Sequence, residues 1–208
     1  FKEIDLKKQF SMRFFHTMFN SETWLDRAKK GGANIINVHH GNDLNPFINY
    51  PFAEEVALKD FVKTAHESGI AVKVYYTIRE QTVNMPEFKA FRDFGYELIA
   101  ERNKNAEVLS WQEEAKKWID ENVGNDVIPA WRQPLKGEKY NGFYDAAVIT
   151  EGQSRLCNFY VEGLNDLVEK TDIGGIYIDD VAYDRNTMKR VRKILDKKPN
   201  ALIDFHQW

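Results

Sequence analysis

Two adjacent carboxylates, Asp179 and Asp180, end an apolar stretch that begins at Gly174 and contains Ile176 and Ile178. Such a stretch is typical of a buried strand, and the carboxyl ends of strands in α/β proteins face the ligand site. Two carboxylates there can divide the work of acid–base catalysis, one donating a proton and the other stabilising charge. The alternative is that the two aspartates cap the next helix or lie in a solvated loop.

Polar and aromatic side chains also follow the other predicted strands. Proteins often hold neutral sugars by hydrogen bonds to neighbouring hydroxyls, with an aromatic ring against the sugar. Cleavage of a glycosidic bond needs a carboxylic acid to protonate the leaving oxygen and a second group to stabilise the transition state. The pattern therefore predicts a carbohydrate site. Its candidate substrate-binding residues are His39, His40, Asn42, Tyr75, Arg79, Trp131, Tyr183, Asp204, His206 and Trp208.

A divalent metal is a competing use of these residues, because imidazole and carboxylate groups also suit zinc and manganese. His39 and His40 are consecutive, so they point to opposite sides if the strand continues, and no H-E-x-x-H motif is present. For each histidine, a role in the core or behind the site is an alternative to direct contact. We predict no metal and no other cofactor, and a carbohydrate is the expected partner.

The composition of the chain excludes several other classes of function. Its 208 residues are 43% hydrophobic and 29% charged, which suits a protein with a buried core. A net charge of −3 argues against nucleic-acid binding. We expect no membrane span and find no signal-peptide pattern. The single cysteine, Cys157, excludes an internal disulfide and a cysteine-built metal site, and we expect it to be buried. The oligomeric state is not predicted.

Strands alternate with amphipathic helices along the chain, which indicates a parallel sheet with right-handed crossovers. No G-x-G-x-x-G or Walker motif is present, so an α/β fold of the (β/α) TIM-barrel type is favoured. Of the eight units of a complete barrel, about five or six are recognisable. We therefore predict a single, incomplete catalytic barrel domain over residues 1–208, with an irregular insertion at about 103–153. The predicted strands are 12–19, 34–40, 71–77, 174–180 and 201–205, with 127–131 as a possible sixth.

Three segments resemble those of bacterial proteins in glycoside hydrolase family 123: residues 38–52, 175–188 and 202–206. The resemblance implies a barrel that acts on β-linked N-acetylhexosaminides, notably N-acetylgalactosaminides. In that mechanism the substrate's own 2-acetamido group is the nucleophile. The resemblance makes Asp179 the residue that positions this group and Asp180 the general acid, although the family has Glu at the latter position. It also implies a periplasmic or extracellular location.

Two other interpretations of Asp179 remain open at this point. It could be the covalent nucleophile of a retaining α-glycosidase, with the acid supplied by another strand. The carboxyl separation tests that possibility, because it is roughly 5 to 5.5 Å in retaining enzymes. The chain could also be a carbohydrate-binding relative that has lost its acid and catalyses nothing.

Overall fold

The computed structural model describes residues 5–17, 21–102, 113–130, 144–151, 154–179 and 183–206. Short 3-10 helices cover Ser21–Thr23, Pro51–Glu54 and Gly95–Glu97. The α-helices are α1 (Leu6–Ser11), α2 (Trp24–Lys30), α3 (Glu55–Glu67), α4 (Phe88–Asp93), α5 (Glu113–Asn122), α6 (Arg155–Thr171) and α7 (Arg185–Leu195). The strands are β1 (Phe14–Thr17), β2 (Ile35–Val38), β3 (Ala71–Tyr75), β4 (Glu80–Thr82), β5 (Asp145–Ala147), β6 (Gly175–Asp179) and β7 (Leu202–His206).

Five strands form one parallel sheet in the order β1-β2-β3-β6-β7. The sheet curves into a half-barrel, and helices connect its successive strands. This arrangement confirms the predicted TIM-type barrel of which only part is present. Because the strands are parallel, their carboxyl ends lie along one edge of the sheet.

Side-chain alternation along the strands separates a helix-facing side from a concave side. The helix-facing residues form the main hydrophobic core with residues of α3 and α6; on β2, β3 and β6 they are Ile36, Val38, Val72, Val74, Ile176 and Ile178. The intervening positions therefore lie on the concave side. On β3 and β6 these positions include Lys73, Tyr75, Tyr177 and Asp179, so one apolar pattern builds the core and also exposes polar residues to the barrel interior.

Helix caps fix the chain on either side of β6. Ser154 Oγ accepts a hydrogen bond of 3.4 Å from the Cys157 N–H at the start of α6. Asp184 Oδ1 accepts a hydrogen bond of 2.8 Å from the Asn186 N–H at the start of α7. Both contacts satisfy N–H groups that have no partner within the first turn of a helix.

The region between β3 and α6 forms a smaller unit with its own hydrophobic cluster. Its two-stranded antiparallel sheet joins β4 and β5, so regular structure begins before the predicted insertion boundary. The prediction of a possible sixth barrel strand at 127–131 is wrong for the described residues of that segment. Val127 forms an antiparallel bridge with Glu101, and Pro129 forms one with Ala146. That segment completes the small unit and does not join the barrel sheet, at least as far as its described residues extend.

Cys157 is buried, as its sequence context predicts. Within the described ranges, no helix combines the length and the apolar character that crossing a membrane requires.

Candidate functional site

Asp179 is the last residue of β6 and lies at the carboxyl edge of the barrel sheet. Its Oδ2 accepts a hydrogen bond of 3.0 Å from the Tyr75 hydroxyl, and its Oδ1 lies 2.8 Å from His206 Nδ1. The side chain is 28% exposed. Residues from the two neighbouring strands therefore hold this carboxylate in a fixed orientation while part of it stays open to a ligand.

Thr77 fixes the backbone of Asp179 as well. Its Oγ1 accepts the Asp179 N–H at 2.9 Å and donates to the Asp179 carbonyl at 2.6 Å. Asn49 Oδ1 accepts the Thr77 N–H at 2.6 Å. Asn49 has the left-handed φ of 53°, a conformation that costs free energy in a non-glycine residue and is common near functional sites.

The loop after β2 is built by asparagine side chains. Asn42 Oδ1 accepts the N–H groups of Leu44 and Asn45 at 2.9 and 3.0 Å, and Asn42 Nδ2 donates to the His39 carbonyl at 2.6 Å. Asn45 Nδ2 in turn donates to the Tyr75 carbonyl at 3.2 Å. Asn42 therefore shapes the loop beside the site, a role different from the predicted contact with substrate.

Aromatic rings surround Tyr75 on the concave side. The ring centroids of His39 and Tyr75 are 4.1 Å apart, those of His40 and Tyr75 are 4.8 Å apart, and those of Tyr75 and Tyr177 are 5.6 Å apart. Burial lowers the pKa of His39 to about 4, and burial followed by the charge of His39 also lowers the pKa of His40. Both imidazoles are therefore neutral near pH 7 and are unsuited to donate a proton as imidazolium.

Asp204 lies nearer to the amino ends of the strands than Asp179 does. It pairs with Lys73, whose side chain is fully buried. Burial lowers the pKa of Lys73 to about 7, whereas the contact with Asp204 favours the charged ammonium. His16 on β1 also lies on the concave side of the sheet. Burial and the charge of Lys73 lower its pKa. The Asp204 side chain is 33% exposed, and its predicted contact with substrate stays a prediction.

A second group of carboxylates lies on the β4–β5 ribbon. Glu80 is 6% exposed and Asp145 is 9% exposed. Arg79 Nε approaches Glu80 Oε1 to 3.6 Å, and Arg79 is 44% exposed. Burial raises the pKa of Tyr75, and the charges of Glu80 and Asp179 raise it further. The charge of Glu80 therefore acts on the same tyrosine that donates to Asp179.

Apart from Asn42, Arg79 and Asp204, whose positions are given above, the predicted site residues fall into three groups. The structure brings Tyr75, Asp179 and His206 into direct contact, with His39 and His40 beside them. Tyr183 lies elsewhere, because it is 5% exposed and packs in the main core with its ring 4.7 Å from that of Tyr160. Three predicted residues lie outside the described residues: Asp180, Trp131 and Trp208.

Sequence reasoning missed Thr77, Glu80 and Lys73. Thr77 and Glu80 follow β3 closely, so a longer window after each strand would have included them. Lys73 interrupts an apolar strand, and a charge in such a strand is itself a signal of a polar barrel interior. Asp145 carries no comparable signal, because its pairing partner Thr82 is far away in sequence.

No cluster of metal-binding side chains occurs among the described residues. None of their His, Cys, Asp and Glu side chains form a group of three or more that could hold a metal ion. The clustered histidines instead contact aromatic rings and backbone carbonyls, as at His39 Nδ1 and the His40 carbonyl, 3.3 Å apart.

The half-barrel and its carboxylate at the strand ends define a TIM-barrel domain of the kind that glycosidases use. The chain belongs to the glycoside hydrolase 123 TIM-barrel domain family, whose model matches residues 5–208. The predicted family resemblance is confirmed. A comparison with curated protein sequences finds no match.

Solved structures with a similar fold include two bacterial alpha-amylases. The enzyme from Geobacillus thermoleovorans is 13% identical, with a TM-score of 0.57 over 94% of this chain and 46% of that protein. The enzyme from Anoxybacillus is 12% identical, with a TM-score of 0.58 over 94% and 47%. The galactosidase domain of an alpha-galactosidase–sucrose kinase is 8% identical, with a TM-score of 0.56 over 94% and 27%. The chain spans less than half the length of these proteins, and at this identity they show a shared fold.

Proposed function

We propose that this domain forms the catalytic part of a glycosidase, with Asp179 as the central carboxylate of its site. The observation that carries the proposal is the position of the Asp179 side chain. It is partly exposed at the carboxyl edge of the sheet, 3.0 Å from the Tyr75 hydroxyl and 2.8 Å from His206 Nδ1. Membership of a glycoside hydrolase family supports a glycan as the substrate.

The proposed substrate is a β-N-acetylhexosaminide such as an N-acetylgalactosaminide. An acetamido group offers one N–H donor and one carbonyl acceptor. The Asp179 carboxylate can accept the first, while the Tyr75 hydroxyl donates its single proton to Asp179 Oδ2 and holds that carboxylate in place. Asp179 therefore suits the group that a substrate-assisted mechanism must orient.

The proposed reaction has two steps. The acetamido oxygen attacks the anomeric carbon while the bond to the leaving oxygen breaks and that oxygen receives a proton. Water then attacks the anomeric carbon of the cyclic intermediate, the acetamido group is restored and a proton returns to the protein. Asp179 accepts the acetamido N–H throughout and stabilises the positive charge that develops on the cyclic group.

The proton donor is proposed to be Asp180, on the family resemblance described above. The imidazoles of His39 and His40 are poor alternatives, because burial lowers the pKa of His39 to about 4 and that of His40 is lowered as well. A carboxylic acid in a partly apolar site is the usual solution to this requirement.

Aryl glycosides test the proposal in the full-length protein. We expect release of the aryl group from 2-acetamido β-glycosides and none from matched β-glycosides that carry a 2-hydroxyl. Asp179→Asn should lower kcat by about 100-fold or more, with the thermal midpoint of unfolding little changed. Asp60→Asn, on the exposed side of α3, is the matched control and should leave kcat unchanged.

Three outcomes distinguish the proposal from its alternatives. Wild-type turnover in a folded Asp179→Asn variant contradicts it. Hydrolysis of α-glycosides together with a covalent glycosyl-enzyme, detected by mass spectrometry, identifies a retaining α-glycosidase. Binding of a glycan by calorimetry with no product after prolonged incubation identifies a carbohydrate-binding relative.

A further inference from the structure

We propose that the small unit carries a second binding site, a cavity between α4 and α5 that takes an amphipathic anion with an apolar body and one carboxylate. The cavity has a volume of about 560 Å³, within the range of about 300 to 1,000 Å³ that ligand sites usually have. None of the described residues that line it belongs to the barrel sheet, so the cavity is not the site that Asp179 marks. The inference goes beyond the proposed function and does not depend on it.

The floor of the cavity is apolar because it is part of the hydrophobic cluster of the small unit. Met85 and Phe88 line it and are buried members of that cluster, 4% and 7% exposed. Val83, Trp118 and Val123 also line it and pack against the cluster while only partly buried. Covering apolar area that water still reaches is favourable, so this floor favours a ligand with an apolar body.

The charged side chains that line the cavity within the described residues are both cations. They are Lys89 and Arg92 of α4, and the amide of Asn122 at the end of α5 adds a further hydrogen-bond donor. Lys89 and Arg92 are three positions apart, which places them on the same side of the helix. Two cations without a carboxylate in the described lining favour a ligand with negative charge.

Both cations keep donors for a ligand. Lys89 is exposed and makes no hydrogen bond or ion pair within the described part of the chain. Arg92 Nη2 donates to Asp126 Oδ1 and Oδ2 at 2.9 and 3.0 Å, whereas its Nε and Nη1 have no partner among the same residues. Glu87, the acid nearest to Lys89 in sequence, bonds the Tyr50 hydroxyl. The ion pair with Asp126 thus holds the guanidinium in place, and Lys89 is available for a carboxylate.

The apolar floor and the two cations together define the class of ligand. An alkyl or aryl body can cover the floor while a carboxylate at its end accepts hydrogen bonds from the cations. A neutral apolar molecule leaves the cations unmatched, and a small inorganic anion leaves the floor uncovered. An alkyl or aryl carboxylate satisfies both requirements.

Calorimetric titration of the whole protein with butanoate, hexanoate and octanoate tests the role of the floor. We expect affinity to rise about two- to fourfold for each added methylene group. Val123→Thr, which places a hydroxyl on the floor, should weaken octanoate binding about threefold or more. Val56→Thr, at a position on α3 that is 74% exposed, is the matched control and should bind octanoate as wild type does.

Octanoate and the neutral 1-octanol together test the role of the charge. Lys89→Gln should weaken octanoate binding about fivefold at low salt, which is the upper range for an exposed ion pair, and should leave octanol binding unchanged. Lys63→Gln, at an exposed position on α3, is the control and should change neither affinity. Asp179→Asn should also leave octanoate binding unchanged, because Asp179 does not line the cavity.

Several results would overturn the inference. They are an affinity that does not rise with chain length, an equal loss of octanoate and octanol binding in Lys89→Gln, or no loss of either. Loss of octanoate binding in Asp179→Asn would assign that binding to the barrel site instead. A lack of glycoside hydrolysis counts against the proposed function alone, whereas a lack of octanoate binding counts against the cavity alone.

Discussion

Removal of a single oxygen atom tests the orientation of Asp179. Tyr75→Phe deletes the hydroxyl that donates to Asp179 Oδ2 at 3.0 Å. The ring is 3% exposed and lies 4.1 Å from the His39 ring, so phenylalanine fills the same space. Burial and the charges of Glu80 and Asp179 raise the pKa of Tyr75. The hydroxyl therefore keeps its proton through the working pH range and acts as a donor.

The size of the effect follows from the surroundings of this bond. A hydrogen bond to a charged group contributes about 1.5 to 3 kcal/mol. The Asp179 side chain is 28% exposed, so water can replace part of the lost bond and the lower end of that range applies. About 1.5 kcal/mol corresponds to roughly a tenfold fall in kcat. The second oxygen keeps its contact with His206, so activity should be reduced and not abolished.

The neighbouring tyrosine provides a matched control on the opposite face of the chain. The Tyr76 hydroxyl donates to the Tyr160 carbonyl at 3.1 Å, on the helix-facing side. Tyr76→Phe should lower the free energy of unfolding by about 1 kcal/mol and leave kcat unchanged. Steady-state kinetics on a 2-acetamido aryl β-glycoside and urea denaturation measure the two quantities. Wild-type kcat in Tyr75→Phe, or an equal loss of kcat in both variants, would refute the reasoning.

Two further predictions concern stability. The pKa of His39 is about 4 in the folded protein and about 6.5 when unfolded, so the unfolded chain binds more protons between these values. The contribution of His39 to the free energy of unfolding is then complete above about pH 6.5 and falls by about 3 kcal/mol toward pH 4. In denaturation at several pH values, His39→Gln should make the dependence of this free energy on pH less steep. An unchanged dependence contradicts the lowered pKa of His39. Asp204→Asn leaves the buried Lys73 ammonium without its partner and should lower the free energy of unfolding by about 3 kcal/mol. Adding Lys73→Met to that variant should restore most of the loss, as measured by urea denaturation. A larger loss in the double variant argues against the pair.

The strands and their order along the chain could be predicted because their apolar residues are local signals. The helix-facing side of β6, for example, reads directly from Ile176 and Ile178. Asp179 was also predictable, since a carboxylate at the end of such a strand occupies the edge that parallel strands share. The strands end a few residues away from their predicted ends. At these ends, side chains such as that of Thr77 make the hydrogen bonds to backbone groups that a neighbouring strand would otherwise make.

The surroundings of Asp179 were less predictable, because polar residues near strand ends can contact a ligand, fold a loop or pack in the core. Asn42 and Tyr183 have the residue types of ligand contacts, yet one folds a loop and the other packs in the core. Glu80 and Asp145 meet through antiparallel pairing of segments far apart in sequence. No local pattern encodes that pairing, so the second carboxylate group emerges only from the three-dimensional arrangement.

The end of β6 supports the role of fixed acceptor that we propose for Asp179. Thr77 Oγ1 bonds both the N–H and the carbonyl of Asp179, so a side chain replaces the neighbouring strand and pairing with β3 ends there. The backbone of Asp179 is thereby fixed, and both of its carboxylate oxygens also have hydrogen-bond partners. Such a carboxylate suits a fixed acceptor, whereas the proton donor of the proposed reaction must approach the leaving oxygen and is a separate group.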